Sequence, residues 1–194
     1  AASPECDRRV TGGSFRRALA VLEAAARAHP GRLSTHLVAG LGETEEELVR
    51  LAQHLVDLGV TVALFAFTPV KGTAMENYPP PPLASYRRVQ LALRLVTLGV
   101  ARAEGMRFSP DGRLEGFGVR EGVLERVALE GDAYQTSGCP GCNRPYYNER
   151  PGRTPYNYPR PLGEREAREA AALALGRPLT GGQGDRCREG GSFP

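Results

Sequence analysis

Apolar positions recur along this chain with two different periods, and their alternation predicts helix, strand, helix and strand in succession. Phe15, Leu19, Leu22 and Ala26 keep the spacing of one helix face, which Gly12-Gly13-Ser14 opens with Ser14 as N-cap and Pro30-Gly31 stops. Leu33 to Ala39 has the apolar and β-branched content of a buried strand and runs into Gly40-Leu41-Gly42. Thr44 followed three residues later by Glu47 forms a capping box, and Glu45 and Glu46 add negative charge where a helix dipole favours it. A helix therefore begins there, with Leu48, Leu51, Leu55 and Leu58 as its buried stripe and Gly59 as its end. Thr61 to Phe67 makes a second near-continuous apolar strand, so the segment predicts a parallel, right-handed βαβ unit.

The next stretch, Thr68-Pro69-Val70-Lys71-Gly72-Thr73, is turn-rich and follows a strand's carboxyl end, where α/β folds place ligands. Pro79 to Pro82 form a stiff extended linker. A helix over about Ala84 to Leu98 follows, with Tyr86, Val89, Leu93 and Val96 inward and Arg87, Arg88 and Arg94 turned outward. Asp111-Gly112 reads as a tight turn between Arg107-Phe108 and Leu114 to Val119. Past Gly131 the pattern dissolves into Pro, Gly, Asn and Tyr, apart from a helix near 163–175 supported by Glu164–Arg168 and Arg165–Glu169 pairs. The expected fold class is α/β. Residues 1–130 form its main body, 131–175 an irregular extension and 176–194 a disordered tail.

Composition narrows the function. The net charge is +3, and 24 of the 25 basic residues are Arg, with Lys71 alone, a bias that fits a GC-rich or thermophilic source better than phosphate binding. Tyr146, Tyr147, Tyr156 and Tyr158 interleave with Arg144, Arg150, Arg153 and Arg160, as a base-stacking platform would. A Pro-rich loop whose tyrosines cover the fold explains them better, so no nucleic-acid partner is expected. No apolar run reaches membrane-spanning length, and the first residues lack a signal-peptide pattern, so the expected location is cytoplasmic, without a membrane partner. No Ser/His/Asp set or phosphate-binding loop is present.

Candidate chemistry concentrates in Thr136-Ser137-Gly138-Cys139-Pro140-Gly141-Cys142-Asn143-Arg144-Pro145. Cys-x-x-Cys spacing lets Cys139 and Cys142 converge on one metal or cluster, with Pro140-Gly141 supplying the turn. The other cysteines are Cys6 and Cys187, so the rest of the ligands must come from the chain ends, a non-cysteine side chain or a second protein. A structural zinc and an iron–sulfur cluster both fit this pair. At His36-Leu37-Val38-Ala39-Gly40-Leu41-Gly42-Glu43-Thr44 the glycines allow close approach of a ligand to the backbone, and the same stretch also reads as an ordinary strand-to-helix turn.

His36 through Glu47, taken with Phe65 to Thr73 and Pro80-Pro81-Pro82, resembles the later half of a radical S-adenosyl-L-methionine (AdoMet, or SAM) enzyme of the biotin synthase and lipoyl synthase group. The resemblance covers roughly Ser14 to Val119 and implies a partial (β/α) radical-SAM-type barrel. It implies an AdoMet-side set of Val38, Gly40, Gly42 and Glu43, with Phe67 and Pro69 bordering adenine and substrate. The cysteine segment resembles the tail of biotin-synthase-like components of two-protein lipoyl synthases, which implies Cys139 and Cys142 as ligands of an auxiliary [4Fe-4S] cluster. A second radical SAM component and an acyl or lipoyl-domain substrate are the implied partners, and sulfur insertion at an unactivated carbon the implied reaction. Two departures stand out. His36 occupies a position that is usually glycine, and the family's Cys-x3-Cys-x2-Cys is absent, so the expectation is a C-terminal portion of a longer protein, inactive by itself.

Overall fold

The computed structural model describes residues 14–138, 152 and 154–179. Their element order begins with α1 (Phe15–Ala28), β1 (Ser34–Ala39), α2 (Glu45–Asp57), β2 (Thr61–Ala66) and α3 (Leu83–Thr97). It continues through β3 (Arg107–Phe108), β4 (Leu114–Gly116), α4 (Glu121–Glu130) and α5 (Glu164–Leu175). The fold is α/β. β1 and β2 pair in parallel from Ser34↔Thr61 to Ala39↔Ala66, and β3 and β4 form an antiparallel hairpin. Among the described residues these strands do not close into a barrel.

Local chemistry explains most boundaries. Thr44 and Glu47 form the anticipated reciprocal cap of α2: the Glu47 N–H donates to Thr44 Oγ1 at 3.1 Å and the Thr44 N–H to Glu47 Oε2 at 2.9 Å. Ser14 sits at the N-cap position of α1 with no capping hydrogen bond, so that helix lacks the expected side-chain start. The turn before β4 needs Gly112 with φ 77°. A Cβ there would also lie 2.6 Å from Thr44, which ties the hairpin to the start of α2.

Two apolar clusters meet along α3. Leu37, Leu48, Leu55 and Leu64 pack β1, β2 and α2 against Tyr86, Val89 and Leu93 on one side of α3. Leu91 and Leu95 on its other side join Val127 and Ala128 of α4, Ala171 of α5, and Tyr134 and Tyr158. Residues 132–138 and 154–162 bind each other on the way to α5: the Thr136 N–H donates to the Tyr158 carbonyl (3.0 Å) and the Tyr158 N–H to that of Tyr134 (2.9 Å). No helix among the described residues is long and apolar enough to cross a membrane.

Candidate functional site

The parallel strands bring their carboxyl ends together, and most of the candidate residues lie there. Val38 pairs with Phe65 in register, and the Phe67 N–H donates to the Ala39 carbonyl at 2.8 Å. Gly40, Gly42 and Glu43 form the turn after β1, and Pro69 lies half-buried two residues past Phe67. Gly40, Gly42 and Glu43 line a cleft of about 220 Å³ with Tyr78, Pro81 and Ser85.

Glycine at position 40 has a structural cause. Its φ is +100°, and a Cβ would sit 2.6 Å from the Pro81 ring, so the space above it belongs to the linker. The Glu43 carboxylate accepts the N–H groups of Gly40 (2.5 Å) and Leu41 (3.0 Å), which occupies two of the turn's donors. At the start of α2 the Glu46 N–H donates to the Gly112 carbonyl. The buried Glu45 carboxylate accepts the Leu114 N–H (2.8 Å) and a two-pronged contact from Arg88, Nε at 2.9 Å and Nη2 at 2.5 Å. These groups hold the fold.

The sheet face beside the cleft is covered at Ala63, which is buried with Gly138 against it, and is more exposed around that point. His36 is exposed there, and Val38, Phe65 and Phe67 are half-buried. His36 and Phe65 meet edge to face at 5.1 Å, as do Phe67 and Tyr78 at 6.0 Å. For AdoMet, the apolar side chains of this face suit an adenine ring, while Glu43 already occupies two donors of the glycine turn.

Beside β2 lies a polar cluster that the sequence reading turned the wrong way. Arg87, expected outward, is fully buried. Its Nη1 donates to Gln90 Oε1 (2.6 Å) and the Tyr156 carbonyl (2.5 Å), and its Nη2 to the Pro155 carbonyl (2.5 Å). The rings of Tyr134 and Tyr158 lie 5.4 and 5.2 Å from its guanidinium. α3 is covered on two sides by segments distant in sequence, so its heptad-like stripe is not its only buried face. Arg88 and Arg94 also turn back, onto Glu45 and Asp132. The sequence signal for this cluster was Gln90, a second polar residue one helical turn after Arg87. Burial pushes the Tyr134 hydroxyl above the ordinary phenol range against the opposing charge of Arg87, and among the described residues that hydroxyl has no hydrogen-bond partner.

The cluster covers the outer edge of β2 at Leu64. The Leu64 N–H donates to Ser137 Oγ (2.9 Å), and its carbonyl accepts from Tyr86 (2.9 Å) and Asn157 Nδ2 (3.1 Å). Tyr156 hydrogen-bonds the Pro81 carbonyl at 2.6 Å and stacks edge-on against Tyr86, so Tyr156 and Tyr158 serve packing rather than an exposed platform. Cys139 and Cys142 lie outside the described residues, as do Tyr146 and Tyr147 and the tail from 180; Gly138, beside Ala63, is the last described residue before the cysteines. Among the described residues no group of three or more His, Cys, Asp or Glu side chains could hold a metal ion. The chain matches no protein-family model, no curated protein and no solved structure.

Proposed function

We propose that the chain is the C-terminal portion of a radical AdoMet enzyme of the biotin synthase and lipoyl synthase type, acting in sulfur insertion at an unactivated carbon. The observation that carries the reading is the second face of the β1–β2 sheet, which no helix among the described residues covers. Parallel strands occur almost only where both faces are covered, yet here helices cover one face while the other leaves His36 exposed and Val38, Phe65 and Phe67 half-buried at the carboxyl ends. A partial (β/α) barrel has that arrangement, with helices on the outer face, Ala63 covered by Gly138 on the inner face, and its ligand end at Val38 and Phe67.

In the intact enzyme AdoMet supplies the hydrogen-abstracting radical and an auxiliary [4Fe-4S] cluster the sulfur. Val38, Phe65 and Phe67 give adenine a dry wall, Glu43 keeps the turn beneath it rigid, and Cys139 and Cys142 furnish two thiolates toward the cluster. The acyl chain or lipoyl domain, and a second radical component, approach from the strands' carboxyl ends. The experiment is metal analysis of the natural polypeptide purified without oxygen, beside its Cys139→Ser and Cys142→Ser variants. Iron with acid-labile sulfide that falls in both variants is expected; colourless stoichiometric zinc lost from the same variants overturns the reading in favour of a zinc-held binding module.

A further inference from the structure

The two edges of the β1–β2 sheet are finished differently, and the unfinished one defines a docking surface. Because the carbonyls of Leu33 and Ala39 accept from the N–H groups of Thr61 and Phe67, the intervening Ser34, His36 and Val38 turn their backbone groups away from β2. Among the described residues nothing hydrogen-bonds those outward groups. No proline, lysine or bulge guards the strand Ser34–Ala39. Against it lies a groove of about 470 Å³ with Leu33, Thr35 and Leu37 as floor, Leu51 and Leu55 of α2 as one wall and the Phe15, Ala18, Leu22 face of α1 as the other. Val21 of α1, 62% exposed, lines it too.

We infer that this edge binds one further β-strand, parallel to β1 and roofed by α1, from the same polypeptide N-terminal to Ala1. This rests on the proposed function for the strand's source and on the structure for its place. A helix leading into a parallel strand belongs to a right-handed crossover, which puts the preceding strand beside the following one under that helix. α1 leads into β1 and stands over an empty groove, so the absent strand is the one before α1. Its outward groups pair with Ser34, His36 and Val38, and its alternate apolar side chains enter the groove. Residues 1–13 are poor in such side chains, Val10 being their one branched apolar residue. A second copy of β1 fits badly, because it brings its own α1 and α2 to the same face. Helices need about 8–10 Å of width where strands are about 4.8 Å apart.

Residue-resolved amide exchange, on the 194-residue chain and on the natural polypeptide, tests this. The His36 and Val38 amides should exchange fast in the shorter chain and at least about a hundredfold slower in the longer one, while Leu37, which faces β2, is protected in both. Ala18→Glu, exposed in the shorter chain, should leave its thermal midpoint unchanged there but abolish the His36 and Val38 protection in the longer one. Fast exchange in a longer, iron-containing protein overturns the inference and spares the proposed function. Protection in a longer protein without iron does the reverse. Self-association of the 194-residue chain with the same protection, or a natural chain that starts at Ala1, overturns the inference.

Discussion

The two margins of one small sheet carry opposite chemistry. Along β2 the backbone of Leu64 is met by Ser137, Tyr86 and Asn157, and behind them Arg87 and Gln90 hold the Pro155–Asn157 segment in place. Along β1 the equivalent groups of His36 and Val38 meet nothing among the described residues. An edge met by a polar cluster has its outward groups occupied, whereas a bare, unguarded edge beside an apolar groove is a template for another strand. The difference is that the β2 edge is met at Leu64 by groups of the same chain, whereas the β1 edge is where the inferred further strand would pair.

Substitutions should separate the margins by the size of their effect. Arg87→Ala removes the centre of the β2 cluster and strands two carbonyls and Gln90 in the interior; a loss of about 3–5 kcal/mol in urea unfolding is expected. Ser137→Ala leaves the Leu64 N–H without its partner and should cost about 1 kcal/mol by the same measurement. His36→Thr on the bare margin should stay within about 0.5 kcal/mol in the 194-residue chain. A cost for His36→Thr close to that of Ser137→Ala would erase the contrast. The smallest effect concerns pH and neither margin. Hydrogen bonds of 3.0 and 2.8 Å from Arg102 hold the exposed Asp57 carboxyl below its ordinary range. Its folded pKa is therefore depressed, so its slight stabilisation is present at neutral pH and lost as pH falls below about 4. Arg102→Ala should flatten that part of a thermal-midpoint profile.

Much of the sheet was legible in the sequence because its determinants are local. The Thr44–Glu47 box, the leucine stripe after it and the two β-branched runs each lie within a few residues of what they specify. α4 was not read: with ten residues and a stripe as brief as Leu124, Val127 and Ala128 it offers little periodicity. Arg87 was turned the wrong way because what buries it comes from residues 155–158, far along the chain. The sequence reading of Gly40 is close approach of a ligand, whereas the atoms that exclude a Cβ there belong to Pro81, which no local pattern reveals. The strand ends that gather Val38, Gly40 and Phe67 followed from the parallel unit, whereas the ligand set around Cys139 and Cys142 depends on partners that the spacing does not name.

The most direct measurement is the intact mass of the protein isolated from its source, read with the coding sequence upstream of Ala1. The account predicts a mass above 20.9 kDa by roughly a hundred residues, about half of a (β/α) barrel, with a Cys-x3-Cys-x2-Cys in the added part. A natural chain of 20.9 kDa contradicts it.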